Sequence, residues 1–355
     1  MFRQPPRLSR PTLRIGNLYS DNMVITRTPL RISFFGGGTD YPRYYEEHGG
    51  EVLSTSIDRY VYLTVSRLDP LFQHRIRVAY AKTELVREIS EIQHPSVRAC
   101  LQHLGMKGGV EISVSADLPA RTGLGSSSSF TVGLLHALYA YQGKLVSPAE
   151  LARESIFVEQ KVIGEGVGSQ DQVAAALGGF RHIVFAKEPL FVADPLPLST
   201  GRKEELQKHL LLFFTGQTRL AEEVLQEQSM KTNENRELLS RMRELVEPGR
   251  KILVNEAEPL KKFGALLDEA WNIKRSLSAK ISNSLVDQAY EAGRRAGAEG
   301  GKLLGAGGGG FLLFFVQPEF QAKVREALRP LVEVPFRFET GGSRLIYIRH
   351  PSESS

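Results

Sequence analysis

Residues 24–35 read as an extended segment and 60–65 and 75–80 as further strands, while 110–115 alternate apolar and polar positions in the strand manner. Helical spacing follows over 130–141, where Val132, Leu135, Leu138 and Tyr139 recur on related turns. A helix is expected over 86–104, and another over 148–163. In the second, Pro148 suits the first turn, and Leu151, Ala152, Ser155, Ile156, Glu159 and Val162 line up behind it. It stops at Gly164-Glu-Gly-Val-Gly168, a stretch of poor helix propensity. Ser169-Gln-Asp-Gln172 then leads an Ala-rich helical turn to Gly178-Gly179, and 181–185 return to strand character. The Pro-, Lys- and Glu-rich composition around 195–208 marks the passage to a second unit. There, 210–214 form a continuous apolar run, read as a buried strand, and 218–246 give one long helix or two shorter ones. Leu260, Phe263, Leu267, Ala270, Ile273 and Leu277 mark a further helix, 285–296 another, and 311–316 a strand.

With 355 residues, 41% of them hydrophobic and 24% charged, the chain has a globular make-up and room for two domains. No apolar run reaches bilayer length, so a soluble, cytoplasmic protein without a membrane partner is expected. The net charge is +5, and Arg3, Arg7, Arg10 and Arg14 against Asp21 put three of those charges in residues 1–22. The rest is near neutral, with no Lys/Arg stripe interleaved with aromatics, which argues against nucleic acid. The basic leader lacks the apolar core of a signal peptide and reads as disordered. Met23, followed by Val-Ile-Thr, looks like a natural chain start. Cys100 is the only cysteine, so no intrachain disulfide can form, which suits a reducing compartment.

Between the strand at 110–115 and the helix that follows lies Pro119-Ala-Arg-Thr-Gly-Leu-Gly-Ser-Ser-Ser-Ser129. Gly123 and Gly125 let backbone N–H groups approach a ligand, the serines add hydroxyls, and a helix N-terminus favours phosphate. Gly36-Gly-Gly-Thr-Asp-Tyr41 makes a tight turn that leaves Asp40 at a surface. A third cluster, Lys302-Leu-Leu-Gly-Ala-Gly-Gly-Gly-Gly-Phe311, holds a formal G-x-G-x-x-G at 305, 307 and 310. A dinucleotide fingerprint needs strand, glycines, then helix, whereas these glycines lead into a strand. The eight histidines are scattered and form no H-E-x-x-H pair. G-x-S-x-G, the Walker loop and the protein-kinase signatures are also missing. A nucleoside triphosphate would need another scheme.

Four segments together resemble the GHMP small-molecule kinases. Thr28-Pro-Leu-Arg-Ile-Ser-Phe-Phe-Gly-Gly-Gly-Thr-Asp-Tyr41 is similar to the family's first motif, 119–129 to its phosphate loop and 302–311 to its C-terminal glycine motif. Glu159 and Gly168-Ser-Gln-Asp-Gln172 are similar to the segment that supplies a magnesium-binding Glu and the catalytic Asp. The resemblance spans about residues 23–348. It implies a two-lobed α/β fold, α+β in its layering. An N-terminal ribosomal-S5-like, ATP-binding lobe would cover 23–200 and a ferredoxin-like lobe 201–350, with the site between them. Gly37-Gly38 stands where galactokinase has Glu-His, leaving a roomier, less charged turn that disfavours galactose. The Gly-Gly-Gly-Thr-Asp wording, Thr215-Gly-Gln-Thr-Arg-Leu-Ala and Trp271-Asn-Ile-Lys-Arg resemble D-glycero-D-manno-heptose 7-phosphate kinases. Those enzymes phosphorylate the anomeric hydroxyl of an already phosphorylated sugar, a step towards nucleotide-activated heptose. Some fucokinase-like proteins share the first wording, so another GHMP sugar-1-kinase is the alternative. Retention of Arg31, Glu159 and Asp171 argues against a non-catalytic ATP and sugar sensor.

The resemblance also implies roles, in a reaction that asks mainly for positioning and charge neutralisation. Gly123, Leu124, Gly125, Ser126, Ser127, Ser128 and Ser129 would hold the triphosphate of ATP, with Ser127 and Glu159 on Mg2+. Asp171 would take or orient the proton of the attacking sugar hydroxyl, and Arg31 would pair with it and offset phosphoryl charge. Asp40 would accept sugar hydroxyls in a pocket shaped by Gly37, Gly38 and Tyr41. Gly305, Gly307 and Gly308 would lie beneath or beside the phosphate loop. Arg219, Lys274 and Arg275 are candidates to face a distal sugar phosphate. The partners are small molecules, and the protein is expected to be a monomer or homodimer.

Overall fold

The computed structural model describes residues 22–217 and 234–349. In chain order the first stretch holds β1 (Met23–Phe35), α1 (Pro42–His48), β2 (Gly50–Arg67), β3 (Ile76–Ala79), β4 (Thr83–Val86), α2 (Pro95–His103) and β5 (Val110–Ala116). α3 (Ser126–Tyr141), α4 (Pro148–Phe157), α5 (Gln170–Leu177), β6 (Arg181–Phe185), β7 (Phe191–Pro195), α6 (Thr200–His209) and β8 (Leu210–Phe214) follow. Beyond residue 234 come α7 (Arg236–Glu244), α8 (Val246–Val254), α9 (Lys261–Ser276), α10 (Ser284–Arg295), β9 (Ala298–Leu303) and β10 (Phe311–Val316). α11 (Gln321–Ala327), β11 (Val332–Glu333), β12 (Phe338–Glu339) and β13 (Arg344–Arg349) close the described chain.

Two sheets organise these elements into a two-lobed α+β fold. The larger runs β13-β1-β2-β5-β3-β4, with β6 and β12 also paired to β2 and β7 to β6; the smaller is an antiparallel β11-β8-β10-β9. β12 and β13 return to the first sheet, so the later part of the chain does not stay in the second. Among the described residues, no helix is long and apolar enough to cross a membrane.

α3 is buried along nearly its whole length, at Phe130, Val132, Leu134, Leu135, Ala137 and Leu138 among others. Each large apolar side chain hidden there contributes roughly 1.5–3 kcal/mol. It lies tight against β1 because Gly133 has no side chain: a Cβ there would come within 2.7 Å of Thr28 Oγ1. Thr26 Oγ1 donates to the Gly133 carbonyl at 3.0 Å. The N-terminus of α3, and the glycine-serine loop before it, are thereby held over the middle of β1.

α9 closes on β9 in the same way, since a Cβ on Gly300 would lie 2.0 Å from the Gly264 carbonyl oxygen. Phe263 of α9 meets Phe34 and Phe35 of β1 edge-on, with centroids at 5.3 and 5.1 Å. This aromatic contact joins the two sheets.

Two expected helices change shape. Over 86–104, helix forms only from Pro95, because the residue before a proline is pushed out of the helical region; a 3-10 turn, Ile89–Glu91, precedes it. Glu84 accepts from the backbone N–H groups of Gln93 and His94 at 2.5 and 3.1 Å and holds that bend. Over 148–163, α4 ends at Phe157 and a π-helical turn, Val158–Ile163, carries Glu159 before Gly164 stops it at φ 81°. Such turns widen a helix locally and recur at functional sites. The helix expected from residue 218 falls partly outside the described residues, and its remainder is α7 followed by α8.

Candidate active site

A cavity of about 410 Å3 opens where the end of β1, the loop before α3, the start of α5 and the C-terminal glycine cluster converge. The loop approaches it with left-handed backbone at Gly123 (φ 86°) and Gly125 (φ 76°). Gly125 is the N-cap of α3, and the first turn of that helix holds no acid to compete with an anion. A Cβ on Gly125 would sit 3.2 Å from Asp171 Oδ2 and 3.3 Å from Arg31 Cγ, so the loop and these two residues are in van der Waals contact.

Of the seven residues expected to hold a triphosphate, Gly123, Gly125, Ser126, Ser127 and Ser128 line the cavity. Leu124 is buried behind it, its carbonyl accepting the Arg31 N–H at 3.0 Å. Ser129 is also behind: its hydroxyl donates to the Pro29 carbonyl at 2.8 Å and its N–H to Gly125. These two fasten the loop to β1, on the side of the first turn that faces away from the cavity.

Ser127 is exposed to the cavity, whereas Glu159 is only 1% exposed and does not line it. Glu159 Oε2 accepts from Ser128 Oγ at 2.9 Å and from Gln172 Nε2, the Thr131 hydroxyl lies close to the carboxylate, and Oε1 has no hydrogen-bond partner among the described residues. Burial pushes its carboxyl up to about 7. The described residues hold no cluster of three or more His, Cys, Asp or Glu fit for a metal. Magnesium commonly takes one or two carboxylates plus substrate phosphates, so an orphaned buried carboxylate oxygen beside the serine turn fits it.

Asp171 stands in the first turn of α5, gripped by Arg31 through two parallel bonds, Nε to Oδ1 and Nη2 to Oδ2, both 2.7 Å. The third arm of that guanidinium, Nη1, donates to the Gly123 carbonyl at 2.7 Å. One arginine therefore ties the acid to the glycine-serine loop. Asp40 lies on the same wall, 1% exposed, its oxygens accepting the N–H groups of Gly38 (2.9 Å) and Gln170 (3.2 Å). Burial, then the charge of Asp171, raise its carboxyl above the usual range, with those two N–H groups pulling the other way. Gly168 makes room for it, since a Cβ there would lie 2.0 Å from Asp40 Oδ2. Gly37, Gly38 and Tyr41 complete this side, and burial raises the Tyr41 hydroxyl well above its ordinary value.

The C-terminal glycines divide. A Cβ on Gly305 would lie 2.2 Å from Gly123 Cα and one on Gly310 2.3 Å from the Thr122 carbonyl oxygen, so these two let the clusters touch. Gly307 and Gly308, expected beside the phosphate loop, pack on Ile281 instead: a Cβ on Gly307 would meet Ile281 Cα at 2.7 Å, and the Gly308 N–H donates to its carbonyl at 2.8 Å. The run of left-handed glycines leaves the loop after Gly305, carries Gly307 and Gly308 together onto Ile281, and returns to the loop at Gly310.

Lys274 reaches the cavity wall, but Arg275 does not line it; its guanidinium bonds Asn272 at 2.6 Å and Asp287 at 3.4 Å, facing Trp271. Arg219 lies outside the described residues. Sequence reasoning missed Lys302, Gln170 and the loop 164–168 as cavity walls. A lysine at the head of a glycine cluster that leads into a strand was the available signal for Lys302.

Known proteins resemble the chain in sequence and in fold. Residues 91–179 match the GHMP kinases N terminal domain and residues 253–330 the GHMP kinases C terminal domain. The chain is 28% identical over 318 residues to the D-glycero-alpha-D-manno-heptose 7-phosphate kinase of Campylobacter jejuni subsp. jejuni serotype O:2, covering 86% of this chain and 93% of that one. It is 30% identical over 320 residues to the bifunctional fucokinase/GDP-fucose pyrophosphorylase of Arabidopsis thaliana, covering 83% of this chain but 30% of that protein. The crystal structure of a D-glycero-D-manno-heptose 1-phosphate kinase from Bacteroides thetaiotaomicron superposes with a TM-score of 0.74 at 24% identity, over 92% of this chain and 99% of that one.

Proposed function

Because the chain belongs to the GHMP kinases and is a phosphotransferase acting on a sugar hydroxyl, we propose that it phosphorylates the anomeric hydroxyl of D-glycero-D-manno-heptose 7-phosphate. The products would be the 1,7-bisphosphate and ADP. The observation that carries the reading is the Arg31–Asp171 pair held against Gly125, where an acid meets the phosphate loop.

In this mechanism the sugar oxygen forms the new bond to the terminal phosphorus of ATP, and the bond from that phosphorus to the bridging oxygen breaks, leaving with ADP. Asp171 takes the hydroxyl proton, its carboxylate aimed by the two bonds from Arg31. The Gly123 and Gly125 backbone and the start of α3 would hold the phosphates. Magnesium bound near Ser127 and Glu159 would offset phosphate charge. Asp40, anchored by backbone N–H groups, would accept sugar hydroxyls, and the small Gly37–Gly38 turn would leave room for a seven-carbon chain.

A second acceptor class, an unphosphorylated hexose such as fucose, is favoured by the 30% identity to the Arabidopsis fucokinase. ATP consumption over hexoses, hexose 6-phosphates and heptose 7-phosphate, with product NMR, separates the two. The heptose phosphate is expected to give the highest kcat/KM and a phosphate at C1; preference for a free hexose would overturn the heptose reading.

A further inference from the structure

Lys274 of α9 and Lys302 of β9 both line the cavity and are buried, at 7% and 3% exposure. No described carboxylate bonds either one. Lys274 Nζ donates to the carbonyls of Leu303 (3.1 Å) and Gly305, and Lys302 Nζ to that of Phe34 (2.7 Å). An ammonium has three donors, so three N–H groups between them have no partner among the described residues. Burying two cations side by side without a counter-charge is costly unless an anion completes the site.

The two lysines stand at the transfer end of the cavity. The Gly305 carbonyl that Lys274 holds belongs to the residue packed on Gly123, and Arg31 bonds the carbonyl of that same Gly123. The charged groups that face the pair are Arg31 from β1 and Asp40 from the turn after it, with Asp171 of α5 bound to Arg31. A phosphate at the far end of a seven-carbon sugar would lie several bond lengths from this point.

We propose that Lys274 and Lys302 together seat the phosphoryl group as it passes from nucleotide to sugar, their three open donors facing its three outer oxygens. Arg31 and Asp171 border the same point and complete its charge balance. Burial, then Arg31, lower Lys274 to about 7, while burial, Lys274 and Arg31 lower Lys302 well below the ordinary lysine range. The arriving anion restores both charges, so binding takes up protons. The inference rests on transfer at Asp171 and not on which sugar is the acceptor.

Calorimetry of the full-length protein with Mg·ADP and Mg·AMPPNP tests it, using wild type, Lys274→Met and Lys302→Met. Methionine keeps the buried stem and removes the charge, so folding is expected to persist. Lys302→Met leaves the Lys274 contacts to the glycine loop intact and gives an independent reading. Each variant is expected to lose about tenfold or more in affinity for Mg·AMPPNP with Mg·ADP binding little changed. At about pH 8, AMPPNP binding by the wild type should take up protons, read from buffers of different ionisation enthalpy, and Lys274→Met should take up fewer. Unchanged AMPPNP affinity and proton uptake would sink the proposal. A raised KM for heptose 7-phosphate alone would move the pair to the acceptor's own phosphate and equally overturn it. A wild type that prefers an unphosphorylated hexose would overturn the heptose reading and leave these expectations standing.

Discussion

Asp40 and Asp171 share one cavity and are held by different means, which suits different tasks. Asp171 has an arginine on both oxygens, a geometry that fixes the carboxylate plane towards the loop. Among the described residues Asp40 has only backbone N–H groups for partners, and it sits where its own ionisation is disfavoured. What favours Asp171 as the proposed base is its position, since the arginine holds its carboxylate beside the glycine-serine loop, whereas the backbone anchoring of Asp40 suits holding a substrate hydroxyl. Asp171→Asn is therefore expected to lower kcat by roughly 10²–10⁴, the usual loss for a general base, while nucleotide affinity changes little. Steady-state rates and nucleotide titration measure the two separately; a near-normal kcat would reduce Asp171 to a helix-start residue.

At the scale of elements, the site depends on two glycine clusters from distant parts of the chain lying backbone to backbone. Gly305 has φ 75° and no room for a Cβ beside Gly123. Gly305→Ala is expected to cost roughly 1–3 kcal/mol of stability through the strained backbone. It should also raise the KM for ATP, because the phosphate loop must move. Gly307→Ala is strained too, at φ 118°, but meets Ile281, so it should destabilise without a matching loss of nucleotide affinity. Thermal unfolding with ATP kinetics checks the contrast; equal effects on KM would mean that the clusters act as one unit. The glycine and serine motifs were legible as sequence because each needs residue types with a direct physical use, glycine at left-handed backbone and serine at a helix start, whereas the pairing of Arg31 with Asp171, 140 positions apart, was expected only from the family resemblance. The facing of the glycine clusters was not legible. Periodicity cannot tell which side of a left-handed glycine run meets a partner, so Gly307 and Gly308 were expected at the loop. The first half of β2 also escaped notice, since Ser54, Thr55 and Ser56 are buried there without an apolar alternation. Lys302 was hidden for a related reason, since β9 reads Ala-Glu-Gly-Gly-Lys-Leu and has no apolar alternation to mark it as a strand.

At the scale of the whole molecule, the chain crosses from the first sheet to the second and comes back, and the return is sealed close to the site. Ser343 precedes β13 and bonds three elements at once. Its N–H donates to Ala175 of α5 at 2.8 Å, and its hydroxyl pairs with Thr28 of β1 at 2.8 Å and with His136 Nδ1 of α3 at 3.0 Å. Gly342 beside it tolerates no side chain, since a Cβ would lie 2.0 Å from the Ala176 carbonyl oxygen. The helix that carries Asp171 is thus braced from the segment before β13, and this brace is expected to depend on pH. Burial lowers His136 from 6.5 to about 4. A histidine depressed in the folded state binds its proton more readily when unfolded. The stability it supports is fully present above about 6.5 and is lost as pH falls towards about 4. His136→Gln cannot titrate and keeps a polar group near Ser343. Urea unfolding between about pH 4.5 and 7 should show the wild type losing more stability towards acid than the variant. Parallel curves for the two proteins would assign the acid loss to other groups and leave His136 as a structural partner of Ser343 only.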